Sequence, residues 1–406
     1  MIRVMKTGKV AFISSFLPRK CGIATFTNDL IENIKKAGGN DFKPSVLAMD
    51  SGRDLEYKKP VKFVIRRDVA GDYAEACDYI NTGNFDAVSL QHEFGLFGGD
   101  GGSHISLLLK RLKAPVITTL HTVLEKPSPE YLNALLDICD ISDKIIIMNQ
   151  RGIDMLTDIY GVPEKKIRLI PHGIPDIPFR NSDLCRRGSS SARKIIMTFG
   201  LIGRNKGIEV MLRAMPGIIK SHPDILYMIV GTTHPEVVKH EGYSYRDELL
   251  DIVKELRLEN HVVFHDRYVS DSELKELLFS ADIYVTPYLH KEQLTSGTLA
   301  FAVGAGKAVV STPYWAAEEL LADGRGKLVP FGDSQRMASA IVRILDDESL
   351  LNKMKMNAYK YGRAITWEKT GQIYWNLLNA ETCSASVSSF ISHKIDNRQT
   401  AIAKIG

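Results

Sequence analysis

No apolar run in this chain approaches the roughly 20 residues that a membrane-spanning helix needs, so no transmembrane segment is expected. Cysteine is sparse and scattered. Cys21, Cys77, Cys139, Cys185 and Cys383 form no CxxC pair and leave an odd thiol, which argues against a disulfide framework. The histidines are equally dispersed, so no zinc-type ligand set is expected and no metal is assigned. Charge of one sign is also missing: 52 basic and 48 acidic residues are interspersed and leave a net charge of +4. That balance offers no dedicated nucleic-acid surface and only weak attraction to acidic membranes, so with no spanning run any membrane contact is expected to be peripheral at most. There is no GxxxxGK[ST] phosphate loop, no full GxGxxG and no Gly-x-Ser-x-Gly elbow, so the corresponding nucleotide and acyl-transfer chemistries lack support. Asp-x-Asp is absent too, which disfavours two carboxylates holding a diphosphate-bound cation. The N-terminus, MIRVMKTGKVAFISSF, runs from basic residues into a strand without a small-residue cleavage site and reads as cytoplasmic.

What is present is an ordinary globular composition, 44% hydrophobic and 25% charged, over 406 residues, enough for more than one domain. Strand-like runs alternate with helical patterns through the first half, at Val10–Ile13, Val46–Met49, Ala87–Leu90, Val116–Thr119 and Ile145–Met148. Such alternation predicts a parallel sheet wrapped by helices. IPFRNSDLCRRGSSSARK, residues 177–194, is polar and aperiodic and reads as a linker. The alternation then restarts at Ile195–Phe199, Leu226–Val230, Val262–Phe264, Ile283–Val285 and Val309–Ser311. The expected organisation is α/β: a Rossmann-like domain over 1–176, the linker 177–194, and a second Rossmann-like domain over 195–365. A terminal helix, 366–380, is expected to pack back on the first domain, with a polar tail over 381–406. Two doubly wound domains facing each other place their switch-point loops around an interdomain cleft, where ligands of open α/β sheets bind.

The richest segment is YVTPYLHKEQLTSGTLAFAVGAGKAVVSTPYWAAEE, which strings a strand, a polar loop, a helix start and another strand together. Thr295, Ser296, Gly297 and Thr298 open the helix, and its first N–H groups favour phosphate or another anion. A structural turn could use the same residues. FGLIGRNKG places Arg204 and Lys206 in a glycine-flexible turn before a helix near Ile208, suited to a diphosphate leaving group. Their plainer reading is as solvated loop charges. SSFLPRKCGIATF opens a helix around Gly22, where backbone can approach a ligand or simply make a tight strand-to-helix connection. Gln91-His92-Glu93 precedes a glycine-rich stretch, Gly95 to Gly102, that fits a substrate-adapting loop. His121 follows the strand Val116–Leu120 and could hydrogen-bond a sugar hydroxyl or simply satisfy the core; His172 reads as structural. Glu292 is the only carboxylate in its loop and could receive sugar hydroxyls or simply stand exposed and solvated.

In order and spacing these motifs, with TLHTV, IPHGIPD, IVGTTHP and ITWEKTGQIYWNLL, resemble the retaining family 4 glycosyltransferases of GT-B fold over nearly the whole chain. The resemblance implies a nucleotide-activated sugar bound mainly by the second domain and a carbohydrate or glycoconjugate acceptor bound by the first. The donor would be GDP-mannose or a UDP-sugar, used as a cosubstrate with no other cofactor. It also implies that Arg204 and Lys206 stabilise the departing diphosphate without a metal, and that Gly22 lies in the loop beneath it. His121 would lie near the donor sugar, and Glu292 would be the first Glu of the family's paired motif. The second Glu of that motif falls on Ala300, and Leu201 stands where many members carry the arginine of the basic pair. A glycoside phosphorylase using inorganic phosphate, or a catalytically silent sugar- or nucleotide-binding regulator, are the alternatives.

Overall fold

The computed structural model describes residues 8–52, 55–180, 182 and 193–381. Most of the expected linker, residues 1–7, the polar tail from 382, Cys185 and Cys383 lie outside the described residues. The fold comprises two compact units, one ending at Gly173 and resuming at Trp367, the other Ile174–Thr366.

In the first unit seven strands form one parallel sheet: β1 (Gly8–Ser14), β2 (Phe42–Asp50), β3 (Val61–Arg66), β4 (Ala87–His92), β5 (Val116–Leu120), β6 (Lys144–Ile147) and β7 (Ile167–Leu169). Their order is β3-β2-β1-β4-β5-β6-β7. β4 and β5 are buried along their whole length, as central parallel strands covered on both faces must be. The helix Gly22–Gly38 lays Phe26, Leu30, Ile31 and Ile34 on the sheet beside Phe12 and Val46. The opposite face carries Ile13, Leu47, Tyr73 and Leu108.

A helix over 367–381 rests on this first unit. The Trp375 ring meets the Phe42 ring edge-on at 5.8 Å, and the Tyr374 hydroxyl lies 3.1 Å from Thr119 Oγ1. Gly371 permits the approach, since a Cβ there would fall 2.6 Å from the Asn33 backbone.

The second unit repeats the design with β8 (Ile195–Phe199), β9 (Leu226–Val230), β10 (Val262–His265), β11 (Ile283–Thr286), β12 (Ala308–Ser311) and β13 (Gly326–Leu328), ordered β10-β9-β8-β11-β12-β13. Its helices Ile208–Ser221 and Ser334–Asp346 close one face over Met211, Met215, Met337 and Ile341. Each sheet therefore reverses direction once, between β1 and β4 in the first and between β8 and β11 in the second. Parallel strands leave a crevice beyond their carboxyl ends at that reversal, where neighbouring loops diverge.

The glycine-rich stretch after β4 differs from the adaptable loop expected of it. A Cβ at Gly98 would sit 2.2 Å from the Arg67 carbonyl oxygen, and one at Gly101 would sit 2.7 Å from the Glu130 carbonyl oxygen. Gly99, Gly101 and Gly102 all have positive φ. These glycines exist for close backbone packing, which fixes the loop rather than freeing it. The Tyr73 hydroxyl completes the lock by accepting from Gly98 N–H and donating to the Arg67 carbonyl.

Candidate active site

At the reversal of the second sheet, β8 runs into Gly200 and then a short turn, Arg204–Lys206, closed by Gly207 at φ 60°. The turn sends its two cations in different directions. Lys206 Nζ stands 4.0 Å above the centre of the Tyr288 ring, in the loop after β11. Arg204 instead pairs with Glu241 at 3.1 Å and Glu248 at 2.7 Å, with its guanidinium over the Tyr245 ring. Both carboxylates hold the Arg204 proton more firmly than usual through those hydrogen bonds. The expected basic pair is thus split: Lys206 faces the switch-point loops and Arg204 the neighbouring helices.

Tyr288 links Lys206 to the start of the helix Gly297–Gly304. Its hydroxyl lies 3.1 Å from Thr298 Oγ1, which is itself 3.4 Å from Ser296 Oγ. Ser296 caps the helix by accepting from Leu299 N–H, and the Tyr314 ring stacks on Tyr288 at 4.8 Å. Gly200 sits against Thr298: a Cβ there would come within 3.1 Å of the Thr298 methyl. Lys206, Tyr288, Ser296 and Thr298 are consequently one cluster, and Gly297 is exposed at its edge. Burial pushes Tyr284 and Tyr314 above the ordinary phenol value. Burial acts on Tyr288 as well, but the Lys206 ammonium and the surrounding hydrogen bonds outweigh it and leave that phenol below its ordinary value. The first N–H groups of any helix lack intrahelical partners, so the cluster combines one ammonium, several hydroxyls and a positive helix end.

The neighbouring candidates are placed less centrally. Glu292 is exposed, Thr295 is half-buried with its hydroxyl oxygen unpartnered, and Ala300 is buried against Ile174 and Ile365. A carboxylate at position 300 would enter that apolar cluster, so alanine suits its surroundings. Tyr288 and Tyr314 were not singled out by sequence reasoning. The only hint was an aromatic residue following Pro287, and the lysine that makes it matter lies 82 positions earlier, from Lys206 to Tyr288.

The first unit gathers the remaining candidates beyond β1, β4 and β5. Gly22 begins its helix behind the Cys21 thiol, which accepts from Ala24 N–H, and nothing lies within 4 Å of where its Cβ would be. One turn on, Phe26 meets the His121 ring edge-on at 4.8 Å, the His172 ring at 5.1 Å and Trp367 at 5.2 Å. His121 is half-buried, and burial, reinforced by His172 and His92, drives its pKa down to about 3. Burial likewise lowers His172 to about 4, against the pull of the Gly173 carbonyl. Glu93 is pushed up by burial although Thr122 and Phe94 N–H both donate to it.

His92 is fully buried, stacked on Phe97, with neither ring nitrogen hydrogen-bonded, and burial lowers its pKa to about 3. The unfolded chain binds a proton at this histidine below about pH 6.5 and the folded chain does not. Stability is therefore fully present above that pH and lost as pH falls towards 3, by about 1.4 kcal/mol per pH unit for this one group. His92→Leu should flatten the acid limb of a denaturant-midpoint versus pH curve by about that slope. An unchanged slope would show that His92 takes up its proton in the folded state.

Among the described residues no group of three or more His, Cys, Asp or Glu is arranged to hold a metal, and no helix is long and apolar enough to cross a membrane.

Comparison with known proteins covers both units. The family described as Glycosyltransferase Family 4 matches residues 21–176, and the family Glycosyl transferases group 1 matches residues 185–361. The chain belongs to the family 4 glycosyltransferases. Its fold is the GT-B type. This family 4 chain is 26% identical over 285 residues to a phosphatidyl-myo-inositol mannosyltransferase of Mycolicibacterium smegmatis, covering 67% of the chain and 65% of that relative. It is 25% identical to a mannosylfructose-phosphate synthase of Agrobacterium fabrum, over 59% of the chain and 53% of the relative. The matched region thus spans less than two thirds of either relative's length. Among solved structures, the Anabaena protein HepE in complex with UDP superposes with a TM-score of 0.72 at 17% identity, covering 92% of this chain and all (100%) of that one. Sucrose-phosphate synthase from Thermosynechococcus elongatus gives the same TM-score, 0.72, at 17% identity and 92% coverage of this chain, 100% of its own.

Proposed function

We propose that this family 4 chain transfers a hexose from a nucleoside-diphosphate sugar to a carbohydrate or glycoconjugate acceptor, with retention of anomeric configuration. The observation that carries the reading is the second unit's cluster, in which the Lys206 ammonium and the start of the helix Gly297–Gly304 are joined through Tyr288 and Thr298. A departing nucleoside diphosphate gains negative charge as the bond from its phosphate oxygen to the sugar breaks. A fixed cation and a helix N-terminus stabilise that charge without reorganising. In a same-face displacement the acceptor oxygen bonds to the anomeric carbon as the phosphate oxygen leaves, and the acceptor's proton passes to that phosphate oxygen. The protein then contributes orientation and electrostatics rather than a covalent nucleophile. No metal is assigned to the diphosphate in this reading, because Lys206 and the helix end supply the positive charge.

The relatives' names mention mannosyl products and a solved neighbour holds UDP, so GDP-mannose and UDP-sugars are the donors to test first. Glu292 and His121 would meet sugar hydroxyls, and Gly22 would give the diphosphate room on the first unit. Arg204, held by Glu241 and Glu248, would contribute only long-range charge, so Arg204→Ala should lower transfer by less than tenfold. A larger loss, matching that of Lys206→Ala, would mean that Arg204 exchanges its glutamates for phosphate.

Thermal-shift measurements against GDP, UDP, ADP, their sugar conjugates and inorganic phosphate test the assignment. A ligand bound by the folded state alone raises the melting temperature by an amount set by its concentration over Kd. Selective stabilisation by one nucleotide supports a transferase of that donor class. A response to phosphate but to no nucleotide would replace this reading with a phosphorylase, and nucleotide or sugar binding without turnover would favour a silent regulator.

A further inference from the structure

At the carboxyl ends of β4 and β5, Gln91 is fully buried and wholly engaged in hydrogen bonds. Its side-chain carbonyl lies 3.1 Å from His121 Nε2. Its amide nitrogen donates to Ser89 Oγ at 3.3 Å and Thr119 Oγ1 at 3.4 Å, and Thr119 Oγ1 is in turn 3.1 Å from the Tyr374 hydroxyl of the terminal helix. Ser89, Thr119 and Tyr374 are buried as well. An uncharged carboxamide with both ends occupied offers His121 an acceptor but no counter-charge.

The geometry points to Gln91 as the positioning residue that holds His121 as a neutral imidazole protonated on Nε2, leaving the Nδ1 lone pair to accept a hydrogen bond from a sugar hydroxyl. Among the described residues Nδ1 has no hydrogen-bond partner. Flipping the ring would take Nε2 away from the Gln91 carbonyl and lose that bond. The titratable groups acting on the ring are His172 and His92, both of which disfavour an imidazolium there. Glu93, next along the chain, spends its two carboxylate oxygens on Thr122 and on Phe94 N–H rather than on His121. A carboxylate in place of Gln91 would favour the protonated ring, as it does wherever a buried acid backs a histidine. His121 is therefore built to orient a hydroxyl, and not to carry a proton away from it. The hydroxyl as the ring's partner rests on the proposed transferase reading, whereas the tautomer does not.

Long-range proton–nitrogen NMR of the full chain carrying nitrogen-15 histidine, with the His121 signals assigned by their loss in His121→Asn, reads the tautomer directly. The expected result is an Nε2–H pattern that persists from pH 8 to pH 5. Gln91→Glu should convert His121 to imidazolium at pH 7 and lower kcat at least tenfold. Gln91→Met should give mixed tautomers in a folded chain whose melting temperature falls by a few degrees as buried hydrogen bonds are lost. An Nδ1–H pattern or an imidazolium in the unsubstituted chain would overturn the inference without any variant having to fold. So would a tautomer unaffected by Gln91→Met. If the tautomer is as stated but His121→Asn transfers sugar at the full rate, the hydroxyl assignment fails and the positioning of the ring by Gln91 stands.

Discussion

Lys206→Ala is expected to lower kcat/KM for sugar transfer by about 10²–10³-fold, the loss seen when one preorganised group facing a developing anion is removed. The ammonium sits over Tyr288, whose hydroxyl reaches Thr298 and through it Ser296, so its removal strips the cluster of its ammonium charge. The lysine is half-buried and is not itself a core residue, so the melting temperature should change little. Two measurements separate the possible roles. Initial rates with the donor identified by thermal shift report the transition-state loss, and the shift induced by the free nucleoside diphosphate reports ground-state binding. A weaker diphosphate shift with an undiminished rate would remove Lys206 from the leaving-group role and leave it a binding residue. The Tyr288 phenol, relieved of the ammonium, should also titrate at higher pH, visible in its ultraviolet absorbance.

Gly207→Ala should damage both the stability and the activity of the second unit. Gly207 has φ 60°, a conformation that costs a residue with a Cβ roughly 1–2 kcal/mol. A Cβ there would also lie 2.1 Å from the Pro287 carbonyl oxygen and 2.9 Å from the Leu289 side chain. Backbone cannot yield as a flexible side chain does, so the turn carrying Lys206 and the loop carrying Tyr288 must separate. The two costs together come to about 3 kcal/mol, a fall in melting temperature of several degrees for a unit of this size. Transfer by the folded fraction should drop as well, because the Lys206 to Tyr288 contact spans the parted loops. Calorimetry with a parallel rate assay checks both, and a stable Gly207→Ala with full activity would show that the approach of these loops is dispensable.

The alternation of apolar runs marked the central strands of both sheets, because a strand covered on both faces must be apolar throughout. Three strands escaped that reading, and all three are sheet edges: β3, β7 and β13. β3 alternates, with Lys62, Val64 and Arg66 exposed, and β7 and β13 are three residues long, so neither presents a continuous apolar run. The helix openings were legible because caps and glycines act locally: Ser296 caps the helix Gly297–Gly304, and Gly207 precedes the helix Ile208–Ser221.

The sequence by itself determined that two parallel α/β units exist, where their central strands run, and which loops follow the strands that meet at each reversal. Those are consequences of short-range periodicity and backbone preference, which neighbouring residues encode. Only the tertiary structure decided what each candidate touches. It turned Arg204 towards Glu241 and Glu248, set Lys206 over Tyr288, locked the glycines after β4 against Arg67 and Glu130, and placed Gln91 behind His121. Each of those partners lies tens of residues away in the chain, and such contacts arise only when the sheet order brings distant strand ends together.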